Sequence, residues 1–295
     1  MNCDAADKIA NAVLYEGYML YPYRASAVKN QQRWNFGTLY PPQYEEVRRG
    51  TERSVMHVEC LLRRGESKTL KIRARFLQFD DRPGTGSRKE GVERTAEFEV
   101  DWSDGARDFE FCFPSAGGEV KGSVSVKAEN LSGELTKFRI ELVNESATRP
   151  EAERDEALTR SMISAHMILY VESGDFVSLL DPPSGLAEAV AGCRNEGCFP
   201  VLVGEEGRRN MLLCSPIILY DFPQVAPESA GDFFDGTEMD EMLTLRLMTL
   251  AEEEKNEIRG GDDRARDLLQ RTEQTAREQL MRTHGTIRSM RPINE

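Results

Sequence analysis

From Val55 onward the chain alternates. Met56, Val58, Cys60 and Leu62 fall on one side of a two-residue period, with His57 and Glu59 on the other. Leu70, Ile72, Ala74 and Phe76 repeat the pattern, with Lys71, Arg73 and Arg75 between them. Such alternation belongs to strands that bury one face and wet the other. Gly65-Glu66-Ser67 between the two runs predicts a hairpin. Further strands are predicted over Ala96–Trp102, Phe109–Phe113, Ser123–Ala128 and Lys137–Val143, separated by Gly- and Ser-containing turns. A charged stretch at 148–160, carrying Pro150, interrupts the series. Beyond it, Ala165–Val171 and Phe176–Leu180 flank the turn Ser173-Gly174-Asp175, and Phe199–Val203 and Met211–Tyr220 flank a turn at 204–209. Short strands at this spacing predict an antiparallel sandwich.

The two ends read differently. Six of the eight tyrosines lie in the first 44 residues. Residues 1–11 predict a short lead, and Val13–Tyr23 predicts a central strand because it is apolar on both faces. Glu16 in that strand needs a partner if buried, and Arg24 or Arg33 is nearest. Trp34–Tyr40 predicts a second strand, closed by Pro41-Pro42. At the other end, Thr237 with Asp240, Thr249 with Glu252, and Thr275 with Glu278 have the form of helix N-termini. The expected fold is therefore mainly β (α+β): an antiparallel β-sandwich-like core with a C-terminal helical segment. The expected organisation is an aromatic-rich β-sandwich over 1–147, a second group of antiparallel strands over 160–225, and a helical tail over 237–285.

Composition narrows the function classes. The formal net charge of -13 argues against wholesale binding to nucleic acid or anionic lipid. The N-terminus lacks the apolar core of a signal peptide, and no run is long and apolar enough for a transmembrane helix, so a cytoplasmic location without membrane insertion is expected. The six cysteines are then expected to be reduced thiols. Charge is unevenly spread. Residues 48–75 hold nine Lys and Arg against three acids, and residues 228–257 hold ten acids against two bases. Two solvated or mutually neutralising faces account for this; so does a polarised surface that steers a protein partner.

Candidate chemistry is sparse. Cys193 and Cys198, with Cys214 and His166, carry ligand types suited to zinc, though their spacing is wider than that of close-paired zinc cysteines. In the alternative, Cys214 and His166 are core residues of apolar strands. His57 lies on a polar strand face and is expected to be solvated. No Walker-type phosphate loop and no G-x-S-x-G elbow occurs, so neither a nucleotide site nor a serine hydrolase is expected. No cofactor is assigned, and the balance leans away from an enzyme.

Several long strings resemble an uncharacterised family of accessory proteins associated with nickel–iron (NiFe) hydrogenase gene clusters. They are YEGYMLYPYRASAVKNQQRWNFGTLYP, SAHMILYVESGDFVSLLDPP, PVLVGEEG, SPIILYDFPQVAPES and DEMLTLRLMTLAEEEK. The resemblance spans nearly the whole chain. It implies a non-catalytic accessory or assembly factor acting through protein–protein contacts with hydrogenase subunits, and it carries over no catalytic residue. In this reading Glu16, Arg24, Arg33 and Trp34 are the candidate partner-binding residues. The alternatives are a metal-binding chaperone or enzyme built on Cys193, Cys198 and Cys214, and a structural β-sandwich adaptor of another complex.

Overall fold

The computed structural model describes residues 4–15, 36–48, 52–80, 90–115, 118–224 and 252–259, together with 266, 269 and 270. The chain divides into two compact units, one of Met1–Leu14 with Asn35–Gln224 and one of Tyr15–Trp34 with Val225–Glu295. Among the described residues of the first unit, ten strands are preceded by α1 (Asp4–Tyr15) and α2 (Pro42–Arg48). They are β1 (Val55–Arg64), β2 (Thr69–Asp80), β3 (Glu90–Asp101), β4 (Arg107–Ser115), β5 (Gly118–Ser132) and β6 (Leu135–Asn144), then β7 (Ile163–Val171), β8 (Gly174–Phe176), β9 (Phe199–Leu202) and β10 (Met211–Ser215). Two short helices, α3 (Arg154–Leu158) and α4 (Ala187–Ala191), lie between strands.

The strands form two five-stranded sheets, ordered β4-β5-β6-β1-β8 and β3-β2-β7-β10-β9. Every pairing between these strands is antiparallel. The alternation seen in the sequence explains the core. Met56, Val58, Cys60 and Leu62 of β1 and Phe138, Ile140 and Leu142 of β6 join Leu70, Ile72, Ala74 and Phe76 of β2 and Ala165, Met167, Leu169 and Val171 of β7 in one buried cluster. The inner faces of both sheets thus share a single core, and each fully buried Leu, Ile or Phe contributes about 2 kcal/mol.

The connectivity departs from the expected hairpins. β1 and β2 belong to different sheets, so Gly65-Glu66-Ser67 carries the chain across the core rather than back along the same sheet. β7 and β8 are likewise in different sheets, which makes Ser173-Gly174-Asp175 a second crossing. The reason is that each pair has apolar inner faces that meet across the core instead of edge to edge. The two crossings touch: a Cβ on Gly65 would lie 2.6 Å from the backbone carbon of Ser173, and one on Gly174 would lie 2.7 Å from the Arg63 carbonyl oxygen. Gly174 also has φ of 120°, a conformation that favours glycine.

Other expectations shift in detail. The charged stretch at 148–160 separates no cores, because strands from both sides of it sit side by side in each sheet. Val13 and Leu14 are helical rather than extended: Ala6, Ile9, Ala10, Val13 and Leu14 form the buried stripe of α1, at the spacing of one helix face. The remainder of the predicted strand to Tyr23 lies outside the described residues. The predicted strand over Trp34–Tyr40 reduces, in its described part, to bridges from Leu39 to Arg53 and Met162. The strand predicted over Phe176–Leu180 stops at Phe176, since the Ser178 hydroxyl accepts the N–H groups of Leu180 and Asp181 and turns the chain. β10 stops at Ser215, just before Pro216. In the second unit, the described part of the predicted tail is helix α5 (Glu252–Arg259), with Lys255 Nζ 3.2 Å from Glu252 Oε1, together with the helical residues 266, 269 and 270. Among the described residues no helix is long and apolar enough to cross a membrane.

Candidate functional site

A polar cluster centred on Glu59 lies on the outer face of the first sheet, over β1. Its neighbour β8 is only three residues long, so most of that edge of β1 has no strand beside it. The chain closes it piecemeal. The Val177 N–H donates to Leu61 O at 2.9 Å. The Asn195 side chain then acts as a surrogate peptide: its Oδ1 accepts the Glu59 N–H at 3.0 Å and its Nδ2 donates to Glu59 O at 3.2 Å. His57 and Glu196 exchange two backbone bonds of 2.9 Å each. Buried backbone groups left unpaired are costly, and this segment removes that cost.

Glu59 sits in the middle with its side chain 3% exposed. Its partners come from β6, in a register that pairs Glu59 with Arg139, Leu61 with Lys137 and His57 with Glu141. Lys137 Nζ lies 2.6 Å from Glu59 Oε2, which also accepts the Arg194 N–H at 2.8 Å. Arg139 reaches Oε1 with Nε at 2.9 Å and a terminal nitrogen at 2.8 Å. His57 Nε2 is 3.7 Å from the same oxygen, and its Nδ1 is 3.0 Å from Glu141 Oε1. Lys137 also donates to Gly192 O at 2.8 Å. Burial pushes the Glu59 carboxyl up, but the Lys137, Arg194 and Arg139 hydrogen bonds outweigh it and hold the group at about 2. A carboxylate so fully engaged is a poor proton acceptor at neutral pH. Its chemistry is that of a clasp, joining β1, β6 and the segment around Arg194. Beside it, Leu61, Leu135 and Val177 pack against Leu186, Ala189, Val190 and Cys193, which docks α4 on the same face.

The candidate metal ligands are dispersed. Cys193 is with α4 outside the first sheet, its Sγ 3.6 Å from Ala189 O. Cys198 and Cys214 lie in the core between the sheets, together with Cys60. Burial pushes the Cys198 thiol up to about 12 and raises Cys60 and Cys214 strongly as well, so all three stay protonated. His166 alternates with the core residues Ala165 and Met167 and therefore faces the other side of the second sheet, across from Arg75 in register. It is fully buried. Its Nδ1 is 2.8 Å from Ser164 O, and its Nε2 has no hydrogen-bond partner among the described residues. Burial lowers its pKa to about 4; Arg75 adds to the shift, while the Ser164 carbonyl and Glu93 oppose it. Among the described residues no group of three or more His, Cys, Asp or Glu is arranged to hold a metal ion.

Glu16, Arg24, Arg33 and Trp34 lie outside the described residues. The basic run between 48 and 75 is in good part neutralised within the fold. Arg73 pairs with Asp7 of α1 at 2.8 Å and Glu97 of β3 at 2.6 Å, and Lys71 pairs with Glu172 at 2.9 Å. Arg75 donates to Asn11 at 2.7 Å and lies 3.6 Å from Glu93. His57 is not the solvated residue expected, since the Glu196 segment and Glu141 enclose it. The sequence reading missed Lys137, Arg139 and Asn195. The available signal was an acid on one predicted strand and two bases two residues apart on another, but only the β1–β6 register makes them neighbours.

The chain matches no protein-family model, no curated protein and no solved structure.

Proposed function

We propose that this protein is a non-catalytic accessory or assembly factor of a nickel–iron hydrogenase, acting in the cytoplasm through protein–protein contacts on a β-sandwich-like scaffold. The long strings YEGYMLYPYRASAVKNQQRWNFGTLYP and SAHMILYVESGDFVSLLDPP, which resemble that family, carry the reading. The geometry agrees with a scaffold role. Among the described residues the most buried acid, Glu59, is clasped by Lys137 and Arg139, and the core thiols are held protonated by burial. Glu16, Arg24, Arg33 and Trp34 remain the proposed contact residues. The test is affinity purification of the tagged protein from cells expressing the hydrogenase, with mass spectrometry of what accompanies it. Hydrogenase subunits are expected, and alanine replacement of Arg24, Arg33 and Trp34 together is expected to lose them. Normal hydrogenase processing and activity in a deletion strain would overturn the proposal.

A second reading has one observation in its favour. Cys198 and Cys214, two members of the proposed cysteine set, lie in the same buried cluster as Cys60. Metal analysis of protein purified without a histidine tag separates the readings. A stoichiometric metal that is lost in Cys198→Ser and Cys193→Ser variants supports a metal-binding chaperone; metal-free protein ends that reading.

A further inference from the structure

β4 is the outermost strand of the first sheet, and among the described residues no strand pairs with its other side. Its inner face carries Phe109, Phe111 and Phe113, all only half-buried. They form an aromatic row with the second sheet: Phe98 and Phe109 have ring centres 5.2 Å apart, and Phe76 lies 6.0 Å from Phe111 and 5.7 Å from Phe113. The rings stay partly wet because the sheet stops at β4. One end of the edge is already closed. There Arg94 donates to the Pro114 carbonyl at 3.1 Å.

Among the described residues no strand pairs with the rest of the edge, and its backbone direction follows from Pro114. Proline has no N–H to give a ladder and so turns its nitrogen to the unpaired side of a strand. By the two-residue period, Asp108, Glu110 and Cys112 turn their N–H and C=O groups the same way. Asp108 and Glu110 are exposed. Their cross-strand neighbours on β5 are Ser125 and Ser123, and neither acid has an ion-pair partner among the described residues. An exposed edge of this kind is a template for another strand. The strand that fits would set cations opposite Asp108 and Glu110 and apolar side chains opposite Phe109 and Phe111, covering the rings.

We propose that the outer edge of β4 docks an extended segment of a partner protein in which basic and apolar residues alternate. The partner joins as an eleventh strand of the unit, paired through the backbone of Asp108–Cys112, with specificity from two ion pairs and the aromatic row. This goes beyond the hydrogenase reading and does not depend on it. Loss of hydrogenase subunits from the purification leaves it standing.

The test uses the full chain and fluorescent peptides of nine residues, the length of β4. One alternates Lys and Val, one has the same composition with the lysines in a block, and one alternates Glu and Val. Fluorescence anisotropy is expected to show the Lys–Val peptide binding at least about tenfold more tightly than either other. The double variant Asp108→Lys/Glu110→Lys, at exposed positions that leave the core untouched, is expected to reverse the preference. Hydrogen exchange is expected to slow at the amides of Asp108, Glu110 and Cys112 when the Lys–Val peptide is bound. The proposal is overturned by absence of binding, by equal binding of the blocked peptide, or by a preference unchanged in the double variant. A concentration-dependent homodimer that protects the same amides overturns it too, since the occupant is then a second copy.

Discussion

Replacing Glu59 by Gln removes the clasp's charge and keeps its shape. The carboxyl is displaced from 4.5 to about 2, which corresponds to about 3 kcal/mol of preference for the ionised form in the folded chain. The folded pKa is depressed, so the stabilisation is fully present above pH 4.5 and is lost as the pH falls through about 2. At pH 7 Glu59→Gln is therefore expected to be less stable than wild type by about 3 kcal/mol. At pH 3 most of the wild-type advantage has gone, leaving about 1 kcal/mol. Urea denaturation at the two pH values measures this directly. Hydrogen exchange adds a local readout, because Glu59 Oε2 accepts the Arg194 N–H. That amide is expected to exchange faster in the variant at pH 7, by at least as much as the core amides of β2, which report the global loss. A stability gap that stays constant from pH 7 to pH 3, or one below about 0.5 kcal/mol at pH 7, refutes the reasoning, since Glu59 then behaves as an ordinary surface acid.

His166 gives a separate pH window. Its folded pKa of about 4 is below 6.5, so the stability it permits is present above pH 6.5 and is lost as the pH falls through 4; His166→Phe is expected to flatten that part of the stability profile, measured by thermal unfolding in steps of pH. Gly174→Ala sets a Cβ 2.7 Å from the Arg63 carbonyl oxygen at φ of 120°, and is expected to cost about 2 kcal/mol or more in chemical denaturation, whereas Gly133→Ala, with open space around it, is expected to cost less. Maleimide labelling mapped by mass spectrometry is expected to modify exposed Cys112 in the native protein, and to reach Cys60, Cys198 and Cys214 only after denaturant is added. Early labelling of Cys214 would refute the buried placement.

The order of residues alone dictates which side chains enter the core. A two-residue period leaves little freedom, because a strand slipped by one residue would turn Met56, Val58, Cys60 and Leu62 out to water. The antiparallel strands and their inner faces were legible for that reason. The period says nothing about which strand lies beside which. Gly65-Glu66-Ser67 suits a tight hairpin as well as a crossing between sheets, and only packing the two apolar faces against each other selects the crossing. The same limit hid the polar cluster. Glu59 reads as a wet residue on an outer face until the β1–β6 register brings Arg139 and Lys137 to it and the turn at Asn195 closes the edge. Val13 and Leu14 fit two periods, the aromatic alternation that follows them and the helix spacing that begins at Ala6, and burial of the α1 stripe selects the helix. Side-chain period is a local property and the sequence carries it directly. Strand neighbours are set by long-range burial, so the clasp at Glu59 and the open edge at β4 exist only in the folded chain.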